Sequence, residues 1–161
     1  MTDPRDGKTY KTTVIDGVTW MAENLNYDIT GSMCYEYLPK HCETYGRLYR
    51  EAQRTDACPM GWRLPDTTDV RKLRDLALTA SYKAQRGWRS LENGTDDYGF
   101  SALPGGNYDE NRDPQFEWLL YVTDFWISTD EYVFSIGQGS GRLSFGQIAV
   151  SAVSIRCIKE I

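Results

Sequence analysis

Histidine is nearly missing: the 161 residues include one, His41. Any Ser/His/Asp hydrolase or histidine-rich metal centre would have to be built around that ring. His41 adjoins Cys42, so a cross-link there would hold it in place, which suits a mobile general base poorly. Basic charge is also in deficit, with 18 Lys and Arg against 23 Asp and Glu for a net charge of −5. No basic stripe gathers, which excludes a protein that coats nucleic acid by neutralising phosphates. Long apolar runs are absent. The longest, Trp118 to Val122, falls far short of the roughly 20 residues a spanning helix needs, so no direct membrane insertion is expected. The opening Met1-Thr2-Asp3-Pro4 has no export signal, which fits either synthesis without one or removal of a leader.

CxxC is missing too. Cys34, Cys42, Cys58 and Cys157 follow one another at spacings of 8, 16 and 99 residues. A zinc site draws its ligands in as close pairs, and none is present even with His41 counted, so no metal site is expected. An even count permits a disulfide framework, and four cysteines allow three connectivities. Paired, they imply an oxidising compartment; reduced, they would be small buried hydrophobes of a cytoplasmic protein. A Cys34–Cys42 bond would close a small surface loop, whereas Cys58–Cys157 would tie the middle of the chain to its end.

What is present is core material. Hydrophobic residues make up 40% of the chain and aromatics 13%, which excludes intrinsic disorder. The length predicts a single domain over residues 1–161, able to bury about 70% of its unfolded surface.

Two β-rich runs, Tyr10 to Ile15 and Val18 to Met21, flank Asp16-Gly17, a dipeptide suited to the positive φ angles of a type I′ hairpin turn. Residues from Ala22 to Gly46 show no sustained period and read as a structured loop. A short helix is predicted from about Leu48 to Thr55. A better one is capped by Asp66, with Val70, Leu73, Leu76, Ala77 and Ala80 on one face and Arg71, Lys72, Arg74 and Asp75 on a solvated one. From Gly87 the aromatics are separated by Gly, Asn, Asp and Pro, which predicts short strands and long loops. The candidate strands are Phe100 to Leu103, Trp118 to Val122, Phe125 to Ser128, Tyr132 to Ile136 and Gly146 to Ile158. In the last, period 2 puts Cys157 on the Val153 and Ile155 face, a placement suited to a buried disulfide. Helices early and strands mostly late give the α+β class.

Several blocks occur in the order of one bacterial family. They are Asp6-Gly-Lys-Thr-Tyr10, Trp20-Met-Ala-Glu-Asn-Leu-Asn26, Cys42-Glu-Thr-Tyr-Gly-Arg-Leu-Tyr49 and Ala57-Cys-Pro-Met-Gly-Trp-Arg-Leu-Pro65. Asn93-Gly-Thr-Asp-Asp-Tyr-Gly-Phe-Ser-Ala-Leu-Pro-Gly-Gly106, Phe125-Trp-Ile-Ser-Thr-Asp130 and Ser154-Ile-Arg-Cys-Ile-Lys159 complete the set. The chain thereby resembles the Fibrobacter succinogenes major paralogous domain, a module related to C-type lectin-like folds. Its Cys-Pro-x-Gly-Trp-Arg-Leu-Pro block is also similar to the core of formylglycine-generating enzymes and of the variable proteins of diversity-generating retroelements. The resemblance implies two helices flanking a twisted, mainly antiparallel sheet with long loops, disulfides Cys34–Cys42 and Cys58–Cys157, and an exported or surface-displayed module. The departure is Ile127, where the pattern carries Ser.

The functional residues are weighed on chemistry. Calcium lectins need oxygen ligands gathered in one loop, and Asp113-Pro114-Gln115 and Trp126-Ile127-Ser128 supply no matching motif. An EF-hand register from Asp109 puts Pro114 at the glycine position and Leu120 at the bidentate Glu, so that stretch reads as a polar loop. Gly137-Gln-Gly-Ser-Gly141 leads into a strand rather than a helix, which marks a hairpin tip and not a phosphate loop. The sequon Asn93-Gly94-Thr95 reads as a turn. Formylglycine-type oxidase chemistry needs a free thiol pair, which structural bridges would remove. The remaining signal is a mixture of large rings, Phe116 among them, and polar tips, favoured in recognition surfaces; the site is expected at Asn107, Tyr108, Trp118, Tyr121, Tyr132, Phe134, Gln138, Arg142 and Gln147. The retroelement relatives carry their ligand face in this C-terminal region. The expectation is a non-enzymatic module at the cell surface that binds a protein or glycan there, without cofactor or calcium. The alternatives are a formylglycine-generating or glycan-active enzyme, or a structural spacer.

Overall fold

The computed structural model describes residues 1–89, 92–129, 132–137 and 142–160. Its first element is the expected hairpin, β1 (Thr12–Ile15) and β2 (Val18–Met21). Asp16 and Gly17 turn at φ of 48° and 76°, which matches the twist of the flanking strands. The last strand, β10 (Ile158–Glu160), pairs antiparallel with β2, so the two ends of the chain share one sheet, ordered β1-β2-β10.

The second sheet holds β3 (Tyr49–Arg50), β4 (Gly105–Tyr108), β5 (Phe116–Leu119), β6 (Thr123–Trp126), β7 (Tyr132–Ile136), β8 (Ser144–Gln147) and β9 (Ala152–Val153). Its order is β3-β9-β4-β6-β7-β8, with β5 also on β4. Every strand pair is antiparallel except β4 with β6, which meet in parallel through Gly106 and Thr123. With α1 (Pro39–Tyr45), α2 (Glu51–Ala57) and α3 (Thr67–Leu76), the chain is α+β.

Alternation along the strands divides the interior, because successive side chains leave opposite faces. Trp20 and Phe125 enter one cluster with Phe100, Phe134, Val70 and Leu73, where the Phe125 and Phe134 rings stack at 4.8 Å. Their neighbours Met21 and Trp126 enter a second cluster with Leu25, Tyr49, Val153 and Ile155. The Trp126 indole donates to the carbonyl of Tyr49 at 2.7 Å. Ile127, the departure from the family pattern, is fully buried in the first cluster. Its apolar side chain fills core space that a Ser would leave short.

Both disulfides implied by the resemblance are present, Cys34–Cys42 and Cys58–Cys157. Cys157 is buried on the Val153 and Ile155 side. The second bond fastens the end of α2 to the segment entering β10, and so joins the helical region to the terminal sheet.

Several local expectations shift. α3 starts where Asp66 caps it, accepting from the backbone N–H of Thr68 and Asp69 at 2.7 and 3.0 Å. It stops at Leu76, so Ala77 and Ala80 lie beyond it. Arg71 and Arg74 stand over the Phe145 ring at 5.7 and 5.4 Å, so the basic stripe shields part of β8 as well as facing water. α1 lies within the segment read as loop. Residues Phe100 to Leu103 form only a single bridge, Ala102 with Lys83, and the strand falls on Gly105–Tyr108 instead. The predicted strand Gly146 to Ile158 is broken into the end of β8, then β9, then the start of β10. Residues from Ala152 to Ile158 are buried without interruption, because this segment crosses the middle of the molecule, where both faces are covered. The predicted hairpin tip lies partly outside the described residues, at 138–141; the strands on either side, β7 and β8, do pair antiparallel.

Candidate functional site

The loop closed by Cys34–Cys42 makes one 3-10 turn, Tyr35–Tyr37, and this turn presents the first aromatic side chains of the site. Tyr35 is buried, and desolvation raises its pKa. The ring lies against Gly106. A Cβ at Gly106 would come within 2.7 Å of Tyr35 Cε2, and the residue's φ is +67°, so glycine is required twice over. Tyr37 points outward with 63% of its surface exposed.

Phe116 of β5 joins the loop to the sheet. Its ring centroid is 5.1 Å from Tyr35, 5.0 Å from Tyr37 and 5.0 Å from Tyr108, distances at which edge-to-face and tilted pairs are favourable. Tyr37 meets Phe116 edge-on. The Arg50 guanidinium lies 5.1 Å from the Tyr108 ring and bonds Glu110 at 2.6 Å. Two residues along β5, Trp118 is 55% exposed. It meets Tyr121 edge-on at 6.4 Å, and Arg89 covers Tyr121 at 5.0 Å. The rings are thus held by a disulfide, a strand pair and one another.

The nine predicted residues do not gather. Trp118 and Tyr121 pair with each other beside this face, Trp118 on β5 two residues from Phe116. Tyr108 backs it, but is buried. Asn107 is also buried, its amide donating to Asp124 Oδ2 at 2.8 Å while its Oδ1 has no partner. Phe134 is fully buried in the main core, so it and Asn107 are corrected to supporting positions. Tyr132 is half-buried opposite Gln147 in the β7–β8 pair, two strands along the sheet from β4, or about 10 Å at two strand spacings. Arg142 donates to the carbonyl of Arg74 at 2.6 Å. Gln138 lies outside the described residues.

Tyr37 escapes the predicted set, as do Arg47 and Arg50. The signal available was Cys34-Tyr-Glu-Tyr37, two tyrosines in a loop expected to be cross-linked.

A concavity of about 1200 Å³ runs between the N-terminal segment, the end of α1, residues 84–87 and the stretch from Asp96 to Leu103. Lys8, Tyr10, Glu23, Tyr45 and Asp96 are on its walls, and Arg156 is among its lining residues. Burial pushes the Tyr10 hydroxyl up to about 12. Glu23 accepts from the Lys11 N–H, and Asp96 accepts from the Ser101 N–H and hydroxyl. These two carboxylates are therefore fixing backbone, a structural task. His41 is likewise engaged, with Nδ1 2.9 Å from the Tyr35 carbonyl and its ring edge-on to Tyr35. All four cysteines are in disulfides. Asp109 accepts from the Asn111 N–H and Arg112 Nε, which ties the turn from Asp109 to Gln115 to itself.

Comparison with curated proteins and with solved structures returned no match. The sequence profile of the Fibrobacter succinogenes major domain matches residues 14–159, a stretch that includes β2, the disulfide loop, the aromatic face and Cys157. The chain belongs to the Fibrobacter succinogenes major domain family.

Proposed function

We propose that this chain is a non-enzymatic ligand-binding module with a C-type lectin-like fold, displayed outside the cytoplasm, and that it recognises a protein or glycan through the aromatic face without calcium. The observation that carries this reading is two exposed rings held by their neighbours: Tyr37, edge-on to Phe116 above Tyr35 and Tyr108, and Trp118, two residues along β5 and edge-on to Tyr121. Rigid aromatic anchors lose little conformational freedom on binding and bury much area, so such positions dominate binding energy. Two disulfides are typical of oxidising compartments, which favours export. With the cysteines paired, the thiol chemistry of a formylglycine-generating enzyme has no reagent in this chain, which favours binding over catalysis.

The test is a screen against immobilised glycans and bacterial surface proteins, repeated with Tyr37→Ala, Trp118→Ala and Tyr132→Ala. Loss of roughly tenfold or more in affinity with either of the first two is expected. Tyr132→Ala, on the remote β7–β8 edge, should change little. A ligand bound equally well by the first two variants would overturn the assignment of the face.

A further inference from the structure

Beside Tyr37 the surface dips into a groove of about 470 Å³ whose lining includes Ser32, Arg47 and Arg50. Its charged lining residues are the two arginines, in a chain whose net charge is −5. Arg47 is held in place: its Nη1 donates to the Ser32 carbonyl and hydroxyl at 3.4 and 3.3 Å, and its buried Nε has no partner. Both guanidinium groups face carboxylates that lie outside the groove lining. Arg47 meets Asp28, whose side chain is 69% exposed, and Arg50 meets Glu110, 53% exposed. The carboxylate of each pair stands in water, where screening weakens its hold, while Arg47 itself is only 16% exposed; an anion seated in the groove competes with both carboxylates.

Resting on the aromatic-face reading, the geometry points to an acidic polysaccharide as the ligand, with this groove as its anion subsite. Arg47 and Arg50 receive an oxyanion carried on a sugar, either a uronate carboxylate or a sulfate ester, while the exposed Tyr37 ring stacks on the C–H face of the sugar. Arginine's planar fork suits both anions in bidentate fashion. The volume lies within the usual range for small-ligand sites, about 300 to 1,000 Å³, room for a sugar unit. Because the protein as a whole is acidic, diffuse attraction does not account for polyanion binding; the subsite must supply it locally.

The experiment is titration calorimetry of the whole chain with polygalacturonate, dextran sulfate and neutral dextran at low and moderate salt. Binding of at least one polyanion is expected, weakening as salt rises, and the preferred polymer distinguishes carboxylate from sulfate. Arg50→Ala should lower that affinity about tenfold or more. Glu110→Gln and Asp28→Asn, which remove the competing carboxylates and keep the side-chain size, should raise it. Polyanion binding indifferent to Arg50→Ala and Glu110→Gln overturns the subsite, as does failure to bind either polyanion. If a neutral glycan is bound instead, sensitive to Trp118→Ala but not to Arg50→Ala, the subsite falls and the aromatic face stands. If no arm responds to Tyr37→Ala or Trp118→Ala, both fall.

Discussion

Arg156 Nε donates to Asn24 Oδ1 at 2.8 Å, across 132 positions of sequence. The same guanidinium donates to the carbonyls of Met21, Phe100 and Ser101 and lies 4.3 Å from the Phe100 ring. Burial pulls its pKa down to about 9, with Asp96 and Glu23 opposing the shift, so it is still charged at neutral pH. One side chain thus fastens three of the blocks by which the family is recognised.

Arg156→Met keeps the stem and removes every donor, leaving buried acceptors on four residues without their partner. A loss of about 3 kcal/mol or more is expected, read as a fall in the urea midpoint. Arg156→Lys should restore little of it, because an ammonium cannot reach both Asn24 and Ser101. A loss under about 1 kcal/mol would mean that water satisfies these acceptors.

The two disulfides should differ in worth. In the chain-entropy account, a loop the size of Cys58–Cys157 removes about 4.7 kcal/mol of unfolded-state freedom, against about 2.6 kcal/mol for Cys34–Cys42. Serine pairs at each site, compared by denaturant unfolding, should preserve that order. Alkylation of the denatured, unreduced wild type should label no cysteine.

Asp124 predicts a pH dependence. It is buried, and desolvation raises its pKa above 3.8 while hydrogen bonds from Ser135 and Asn107 partly oppose the shift. Between the unfolded value and the raised native value, the native state holds more protons than the unfolded state. Stability therefore falls as pH rises through that window, and the penalty is fully present above the native pKa. Asp124→Asn cannot ionise, and an amide at this position can donate to the Asn107 oxygen that now lacks a partner. Its melting temperature should exceed that of the wild type at pH 7, with the gain shrinking toward pH 3. A variant less stable at pH 7 would show that the charged carboxylate is favoured in place.

Gly106→Ala tests the support of the aromatic face. The new methyl would meet the Glu117 carbonyl at 2.6 Å and Tyr35 Cε2 at 2.7 Å, at a φ that costs an L-residue about 1 to 2 kcal/mol before any clash. A destabilisation of about 2 kcal/mol or more is expected, with altered near-ultraviolet circular dichroism from the displaced tyrosine. An unchanged spectrum would mean that the strand shifts instead of the ring.

Some elements were legible because their signal is local. Asp16-Gly17 between β-branched runs needs only its own φ preferences, and Asp66 needs only the N–H groups of the next turn. Tyr132–Ile136 falls at its predicted bounds. α1 is too short to show a period; its marks are Pro39 in the first turn and Gly46, at φ 75°, just past the end. Burial from Ala152 to Ile158 misled, since alternation describes a strand with one wet face, and this one has none.

The sequence by itself determined the hairpin, the α3 cap, the α+β class and, through blocks in fixed order, the family; the cysteine pairs followed only as what that resemblance implies. Local conformational preference and the order of residues along the chain suffice for these. Only the tertiary structure decided which rings meet solvent. It buried Phe134, Tyr108 and Asn107, left Tyr132 on another edge, and set Tyr37 beside Phe116, 79 positions away. Exposure belongs to the packed whole: a ring is covered or left bare by elements distant in sequence, and no window along the chain contains them.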